Sequence, residues 1–469
     1  MPIKFGTDGW RDVIGGDYTF ENVARVSVAT ARYFKTLPNI KNGIFIGYDA
    51  RFLSREFAEL AAQVIVSEGI KAYLSSSICA TPATSLAIVE HKLAAGVMIT
   101  ASHNPAKYNG YKIKGSYGGA ALPDAIAKIE KHCANVPESK MKALIESLLP
   151  LEDSLEKQKI VYLDAKKLYI SKLKKLVNVK LLSKAKLKLA YDPMYGAGIE
   201  TLEQLMPSVA ILHDVWNPGF GGTPPEPLPQ NTKEFSSFVV EGKYDLGLVT
   251  DGDADRIGAI DENGKFFSSQ MILCLLLKYL VEVKKKKGDV VISLSVTSMI
   301  DKMCDEYGLK VFRTPVGFKY ITEYMLRGGV LIGGEESGGI GIPSIHIPER
   351  DGLFNGLLLA EICAYYKKSL GQLVAGLEKE FGKHSYDRFD FHTTDARKTQ
   401  VLKKAKAGFS TIAGKKVTKT ITDDGFKYLL ADGSWLMIRT SGTEPLLRYY
   451  AEAPSSATVA KLLAFAKSL

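Results

Sequence analysis

Asp251, Asp253 and Asp255 occupy alternate positions of DGDADR (251–256), which follows the apolar run Leu246 to Thr250. Three carboxylates at i, i+2 and i+4 of a curved loop can converge on one hard cation and leave coordination positions for a phosphate oxygen, as magnesium prefers. Calcium fits the same charge. An EF-hand does not fit, because its sixth loop position needs glycine where this chain has Arg256, and both flanks read as strand. The bland alternative is a polar turn whose aspartates cap the backbone.

Three further segments carry polar groups at the ends of apolar runs. AAGVMI (94–99) delivers TASHNP (100–105), and a serine at the end of a parallel strand sits where such sheets gather ligands. Ser102 can therefore accept a group, or simply cap a turn. His103 is adjacent in sequence, which does not make it a general base; it can equally hydrogen-bond within the loop. In GGVLIGGEESGG (328–339), Glu335 and Ser337 can accept from and donate to sugar hydroxyls while glycines let a substrate approach the backbone, although a tight surface turn explains the pattern as well. In RTSGTEP (439–445), Arg439 offers a planar fork of donors, and Ser441, Thr443 and the amides around Gly442 can form a nest for phosphate oxygens. One chain thus supplies a metal site, an acceptor serine, a hydroxyl reader and an anion cradle.

The elements that must position these groups are alternating strands and helices. Strands are expected at Ile44 to Gly47, Lys71 to Leu74 and Gly96 to Thr100, with a helix over Arg55 to Glu68 stopped by Gly69 and another opened by Thr81-Pro82 as cap and first-turn proline. A second α/β unit follows from Leu187 to Thr250, with GFGGTPPEPLP (219–229) as loop. A third opens at the Asn263-Gly264 hairpin signal, alternates through Val290 to Leu294, Val311 to Val316 and Val330 to Ile332, and closes on a helix from Gly352 to Tyr366. The tail changes character: Lys416 to Tyr450 reads as antiparallel strands broken at Asp424-Gly425 and Asp432-Gly433, followed by a helix from Ser456 to Lys467. The expected divisions are 1–150, 151–256, 257–372 and 373–469.

Composition narrows the function classes. The net charge of +10 is concentrated in Lys157 to Lys188, which holds eleven lysines and one acid, so the rest of the chain is neutral. Those lysines lack interleaved aromatics, so nucleic-acid binding is not expected and a solvated helix face is. The longest apolar run, Met271 to Leu277, is far short of the roughly 20 residues needed to span a membrane. No basic start with an apolar stretch marks a signal peptide, so a cytoplasmic location is expected. The five cysteines (79, 133, 274, 304, 363) lack zinc spacing and are expected reduced and mostly buried.

The order FGTDGWR, TASHNP, DGDADR, GEESGG and RTSGTEP, spread over essentially the whole chain, resembles the α-D-phosphohexomutases, above all the phosphoglucomutase and phosphomannomutase group. The resemblance implies three related doubly wound α/β domains plus a smaller, mobile C-terminal α+β domain around a central cleft. It implies that Ser102 becomes a phosphoserine and that Asp251, Asp253 and Asp255 hold Mg2+ together with an oxygen of that phosphate. Arg256 would contact the same region, Arg11 and Lys112 would lie near the transferring phosphoryl group, and Lys112 would be a candidate proton carrier. His103 belongs to the same catalytic loop. Glu335 and Ser337 would read sugar hydroxyls, while Arg439, Ser441, Gly442 and Thr443 would clamp the phosphate that is not reacting. A hexose 1,6-bisphosphate is the implied intermediate and activator, sugar phosphates are the implied partners, and a monomer or homodimer is expected.

One departure bears on the sugar. Some bifunctional relatives end the sugar loop with histidine, where this chain has Gly339. Its TPVGFK (314–319) instead resembles the lysine-bearing loop of glucose-preferring members, with Thr314 and Gly317 at the substrate and Lys319 taking part of the histidine's role. This leans toward phosphoglucomutase, with phosphomannomutase, phosphoglucosamine mutase and phosphopentomutase as alternatives. A haloacid-dehalogenase-type phosphatase also uses Asp-x-Asp after a strand, but leaves TASHNP and RTSGTEP unexplained. A non-catalytic sugar-phosphate binder would need no phosphorylatable serine.

Overall fold

Ile44–Tyr48, Ala95–Ile99, Leu246–Thr250 and Val330–Gly334 are buried at every position, as strands covered by helices on both faces must be. In the computed structural model, which describes residues 3–6, 8–440 and 446–469, these strands lie inside three mixed sheets. The sheets repeat one order. Ala72–Ser75, Ile44–Tyr48, Ala95–Ile99 and Tyr108–Gly115 are neighbours in the first, Ala210–Ile211, Leu189–Asp192, Leu246–Thr250 and Ile257–Asp261 in the second, and Val311–Thr314, Asp289–Ser293, Val330–Gly334 and Ile340–Gly341 in the third. In each, the first three strands are parallel and the fourth returns antiparallel. The loop between third and fourth strands therefore recurs at the same place: it carries Ser102 in the first sheet, Asp251 to Asp255 in the second and Glu335 to Ser337 in the third.

The fourth sheet is antiparallel throughout, running from Ser385–His392 through Leu446–Ala453, Trp435–Thr440, Phe426–Leu430 and Lys415–Ile421 to Thr411–Ile412. The chain thus has the three α/β domains and smaller C-terminal domain that its sequence implies. Two of the expected divisions do not follow the sheets. Ile160–Leu163 pairs parallel with Ala72–Ser75, so the first sheet extends past 150. Ile257–Asp261 and Phe266–Phe267 complete the second sheet, because the aspartate loop DGDADR is the tip of an antiparallel hairpin that a division at 256 would cut.

The helix Gly352–Tyr366 matches its expected bounds and is buried over thirteen of its residues. Its N-cap Asp351 accepts from Phe354 N–H and from Tyr169 Oη at 2.5 Å, and its Glu361 accepts from Tyr279 Oη and the Asn178 N–H, joining the second and third domains. The lysines of 157–188 are mostly exposed; Lys166 is the exception, buried with its ammonium at the Ile199 carbonyl and Glu200. All five cysteines are free and buried. Among the described residues no helix is long and apolar enough to cross a membrane.

Candidate active site

Ser102 adopts a left-handed backbone (φ 54°), a conformation that costs a non-glycine residue roughly 1 to 2 kcal/mol. Its N–H donates to Thr100 Oγ1 and its hydroxyl donates to Asp251 Oδ2, both at 2.8 Å. The aspartate loop DGDADR packs against it: a Cβ on Gly252 would stand 2.4 Å from the Ser102 carbonyl oxygen, so only glycine lets the two loops touch. His103 Nδ1 lies 3.3 Å from Ser102 Oγ. Burial, with Arg256 and Arg11 nearby, holds this imidazole well below its ordinary pKa, hence neutral.

The three aspartates are fully buried and each offers an oxygen within 4.8 Å of the others. Asp251 Oδ1 accepts the N–H groups of Asp255 and Arg256, which folds the loop around the carboxylate. Asp253 Oδ2 accepts from Lys112 Nζ at 2.7 Å and from Thr81 Oγ1 at 2.5 Å. Thr81 therefore does not cap its helix as expected: Ala80 is the N-cap, and the threonine hydroxyl goes to the stronger, charged acceptor. Asp253 Oδ1 and Asp255 Oδ1 have no hydrogen-bond donor among the described residues. Two buried, undonated carboxylate oxygens beside a third carboxylate fit a hard divalent cation such as Mg2+. Burial and the neighbouring Asp253 and Asp255 push the Asp251 pKa well up, whereas Asp253 is held low because Lys112 outweighs its burial.

Lys112 is the charge centre of the cleft, with Asp253, Asp8 and Asp255 at 2.7, 2.8 and 3.2 Å. Burial works against its ammonium, but these carboxylates outweigh it and tighten its hold on the proton. Arg11 Nη1 donates to Asn104 Oδ1 at 2.8 Å, so it braces the serine loop. Arg256 is 3.8 Å from Asp251 and 3.3 Å from Glu226, and its backbone bridges Gly339. Arg350 then links the three α/β domains: it pairs with Asp8, with Asp255 at 2.6 Å and with Glu335 at 3.7 Å. Glu335 Oε1 accepts the Gly317 N–H at 2.8 Å, which ties TPVGFK to the GEESGG loop. Burial raises the Glu335 carboxyl against the pull of Arg350. Thr314 is buried, its hydroxyl on the Pro315 carbonyl. Lys319 lies in the first turn of Phe318–Leu326 with its ammonium 5.4 Å from the Tyr320 ring, and Ser337 is half-buried at the loop tip.

Across the cleft, the C-terminal sheet contributes Arg439, whose Nε is 3.1 Å from Asp424 Oδ2. That same carboxylate oxygen accepts the Val316 N–H at 2.8 Å. Ser441, Gly442 and Thr443 lie outside the described residues. Arg388 faces Glu336 of the GEESGG loop at 3.6 Å.

Comparison with known proteins accords with this geometry. The phosphoglucomutase/phosphomannomutase α/β/α domains I, II and III match residues 2–140, 167–264 and 268–381, and the C-terminal domain of that family matches 392–467. A phosphoglucosamine mutase of Clostridium acetobutylicum is 30% identical, with 96% of this chain and 95% of that protein covered. The chain belongs to the phosphoglucomutase/phosphomannomutase family. It is a phosphohexomutase. A phosphoglucomutase/phosphomannomutase of Thermococcus kodakarensis is 29% identical over 97% of this chain and 95% of its own. A structure from Thermus thermophilus, assigned as a phosphomannomutase, superimposes with a TM-score of 0.84 at 32% identity, covering 100% of this chain and 99% of that one.

In this phosphohexomutase the fold brings together Ser102, the aspartate triad, Lys112, Arg11, Arg256 and Glu335, which lie up to 324 positions apart in the sequence (335 − 11). Asp8, Arg350 and Arg51 escaped the sequence reading. Asp8 stands inside FGTDGWR. Arg350 stands in the charged triplet Glu349-Arg350-Asp351 just before the largely buried helix Gly352–Tyr366, where a charge can be buried only if it is paired. Arg51 follows a buried strand of the first sheet.

Proposed function

We propose that this phosphohexomutase is a phosphoglucomutase, interconverting glucose 1-phosphate and glucose 6-phosphate through a phosphorylated Ser102 and a glucose 1,6-bisphosphate intermediate. The observation that carries the sugar assignment is at Gly339. A Cβ there would stand 2.3 Å from Arg350 Cδ, in the middle of a side chain pinned at Asp8 and Asp255. Arg350 thus fills the space that the histidine of bifunctional relatives would need, and TPVGFK, tied to Glu335 through Gly317, is left to supply the lysine.

Phosphoryl transfer is mostly positioning and neutralisation of charge spread over the equatorial oxygens. Asp251 orients the Ser102 hydroxyl; Lys112 and Arg11 supply positive charge beside it. Asp251, Asp253 and Asp255 would hold Mg2+, which when bound supplies further charge neutralisation. Glu335 and Ser337 read sugar hydroxyls, Lys319 assists proton movement, and the Arg439 region holds the phosphate that is not reacting. Neutral His103 orients the serine hydroxyl. The reaction is a cytoplasmic one in this reading.

The test is a parallel assay of the 1-phosphates of glucose, mannose, glucosamine and ribose, with Mg2+ and a catalytic amount of the matching bisphosphate. Glucose 1-phosphate should give the highest kcat/KM. A higher value for glucosamine 1-phosphate would move the chain to the activity named for its Clostridium relatives.

A further inference from the structure

Arg51 is buried, 2% exposed, and its guanidinium reaches the serine turn through backbone carbonyls and not through the side chains that would meet substrate. Its Nη2 donates to the carbonyl oxygens of Ser102 at 2.6 Å and Asn104 at 2.5 Å; its Nη1 donates to those of Pro105 and Tyr108, both at 3.0 Å. Behind it, Nε lies 3.3 Å from Asp49 Oδ2, and Asp49 Oδ1 is fixed by the Ser54 hydroxyl and the Arg51 N–H. On the far side, the second domain closes the pocket. The Phe220 ring lies 4.9 Å from the guanidinium carbon, and Trp216 Nε1 donates to the Ala50 carbonyl at 3.0 Å. The segment that supplies Trp216 and Phe220 then runs on to the metal loop, where the Pro225 carbonyl accepts the Gly252 N–H at 3.1 Å and Glu226 pairs with Arg256.

We propose that Arg51 is a positioning residue for phosphoryl transfer, its guanidinium fixing the backbone of the Ser102 turn and being held in turn by the second domain through Phe220. The inference rests on Ser102 as the phosphoryl carrier. A left-handed serine keeps its conformation only where its surroundings over-determine it, and four carbonyl oxygens converging on one buried point need a donor that serves all of them. A guanidinium has the planar fork for this; an ammonium is a compact point donor and does not. Without the fork, the turn relaxes and Ser102 Oγ leaves Asp251. Through Phe220 and Pro225, one segment of the second domain holds both the serine loop and the metal loop, so the acceptor oxygen and the aspartates stay in register although they belong to different domains.

Arg51→Lys separates geometry from charge. It should lower kcat about 100-fold, the cost of displacing a reacting atom by about 1 Å, with KM for glucose 1-phosphate unchanged, since no substrate contact is removed. Arg51→Ala should be slower still and should regain activity in millimolar guanidinium chloride, a response that general loss of structure would not give. Phe220→Leu leaves all four hydrogen bonds in place and should lower kcat about 10-fold at constant KM, a fraction of the full displacement. Near-UV circular dichroism fixes the folded fraction of each variant. If Arg51→Lys does not fold, Phe220→Leu decides: constant kcat overturns the proposal and a lower kcat at constant KM supports it. Wild-type kcat in Arg51→Lys, or a loss that merely follows the folded fraction, also overturns it. Ser102→Ala keeps the two readings apart. If it retains wild-type turnover, the carrier assignment itself is wrong; if it is inactive while Arg51→Lys is normal, only the role of Arg51 fails.

Discussion

The Ser102 hydroxyl donates to Asp251 Oδ2 across 2.8 Å although 149 positions separate the two residues. A serine whose proton already points at a carboxylate of the candidate metal loop is oriented to present its oxygen to an incoming phosphoryl group. Ser102→Ala should therefore abolish turnover, and intact-protein mass of the wild-type enzyme after incubation with glucose 1,6-bisphosphate should show one added phosphate that the variant lacks. Wild-type rates from purified Ser102→Ala would remove the covalent route.

The aspartates should behave as one unit. Changing any one of Asp251, Asp253 and Asp255 to Asn should cost at least about 100-fold in kcat, since even outer partners of metal ligands are worth about 10- to 100-fold. It should also raise the Mg2+ concentration for half activity, and double changes should cost little more than single ones. A Mg2+ titration that stays where it was in all three variants would rule out the metal assignment.

Much of this was legible because Ser102, the three aspartates and Glu335 follow directly on apolar strands. Leu246–Thr250 and Gly352–Tyr366 match their expected bounds, since apolar runs, caps and glycine stops are local signals. What was not legible is long-range. Thr81 looked like a cap by sequence, but its hydroxyl is taken by Asp253, 172 positions away. Lys114 and Glu349 are both buried and form an ion pair between the first and third domains, which no periodicity encodes. A division at 256 cuts a hairpin because DGDADR is a sharp polar break between two apolar runs, whereas strand pairing continues across it from Leu246–Thr250 to Ile257–Asp261.

Glu452 makes the acid stability of the C-terminal domain testable. It accepts from Ser298 of the third domain, from His384 Nδ1 at 3.1 Å and from Trp435 Nε1 at 3.0 Å, with the Lys427 ammonium 3.9 Å from the Trp435 ring centroid. Burial pushes the carboxyl up, but hydrogen bonds from His384 and Ser298 reverse this and bring it from 4.5 down to about 2. The folded state therefore binds fewer protons than the unfolded one in that range. The stabilisation, on the order of 3 kcal/mol, is present above about pH 4.5 and lost as pH falls toward 2. Glu452→Gln should lower Tm at neutral pH and flatten the Tm profile between these limits; parallel profiles for both proteins would contradict it.

Lys319 replaces the missing histidine in the proposed chemistry. Lys319→Ala should lower kcat roughly 100-fold, at the low end of what general acid or base help is worth, with a smaller change in KM. A raised KM at unchanged kcat would reduce Lys319 to a binding contact.

Arg439 and Glu335 are joined by a short chain of contacts that bears on how, in the proposed reaction, one serine would serve two positions of the sugar. Arg439 Nε lies 3.1 Å from Asp424 Oδ2, that oxygen accepts the Val316 N–H, and the next N–H, of Gly317, donates to Glu335 Oε1. The proposed reaction acts at C1 and at C6 with a single acceptor, so the bisphosphate must turn around and place each phosphate in turn at Ser102 and at the Arg439 region. A clamp tied mechanically to Glu335, the proposed reader of sugar hydroxyls, would serve both orientations alike. Arg439→Ala removes a charge-assisted contact made in each, so single-turnover transfer to the 1-phosphate and to the 6-phosphate should fall together, by about 10- to 100-fold for a lost hydrogen bond to a charged group of about 1.5 to 3 kcal/mol. Asp424→Asn keeps the Val316 contact but weakens the hold on Arg439, and should produce a smaller loss shared equally between the two directions. If Arg439→Ala slowed transfer to one monophosphate and left the other at its wild-type rate, the two phosphates would have separate clamps and the reorientation model would have to be given up.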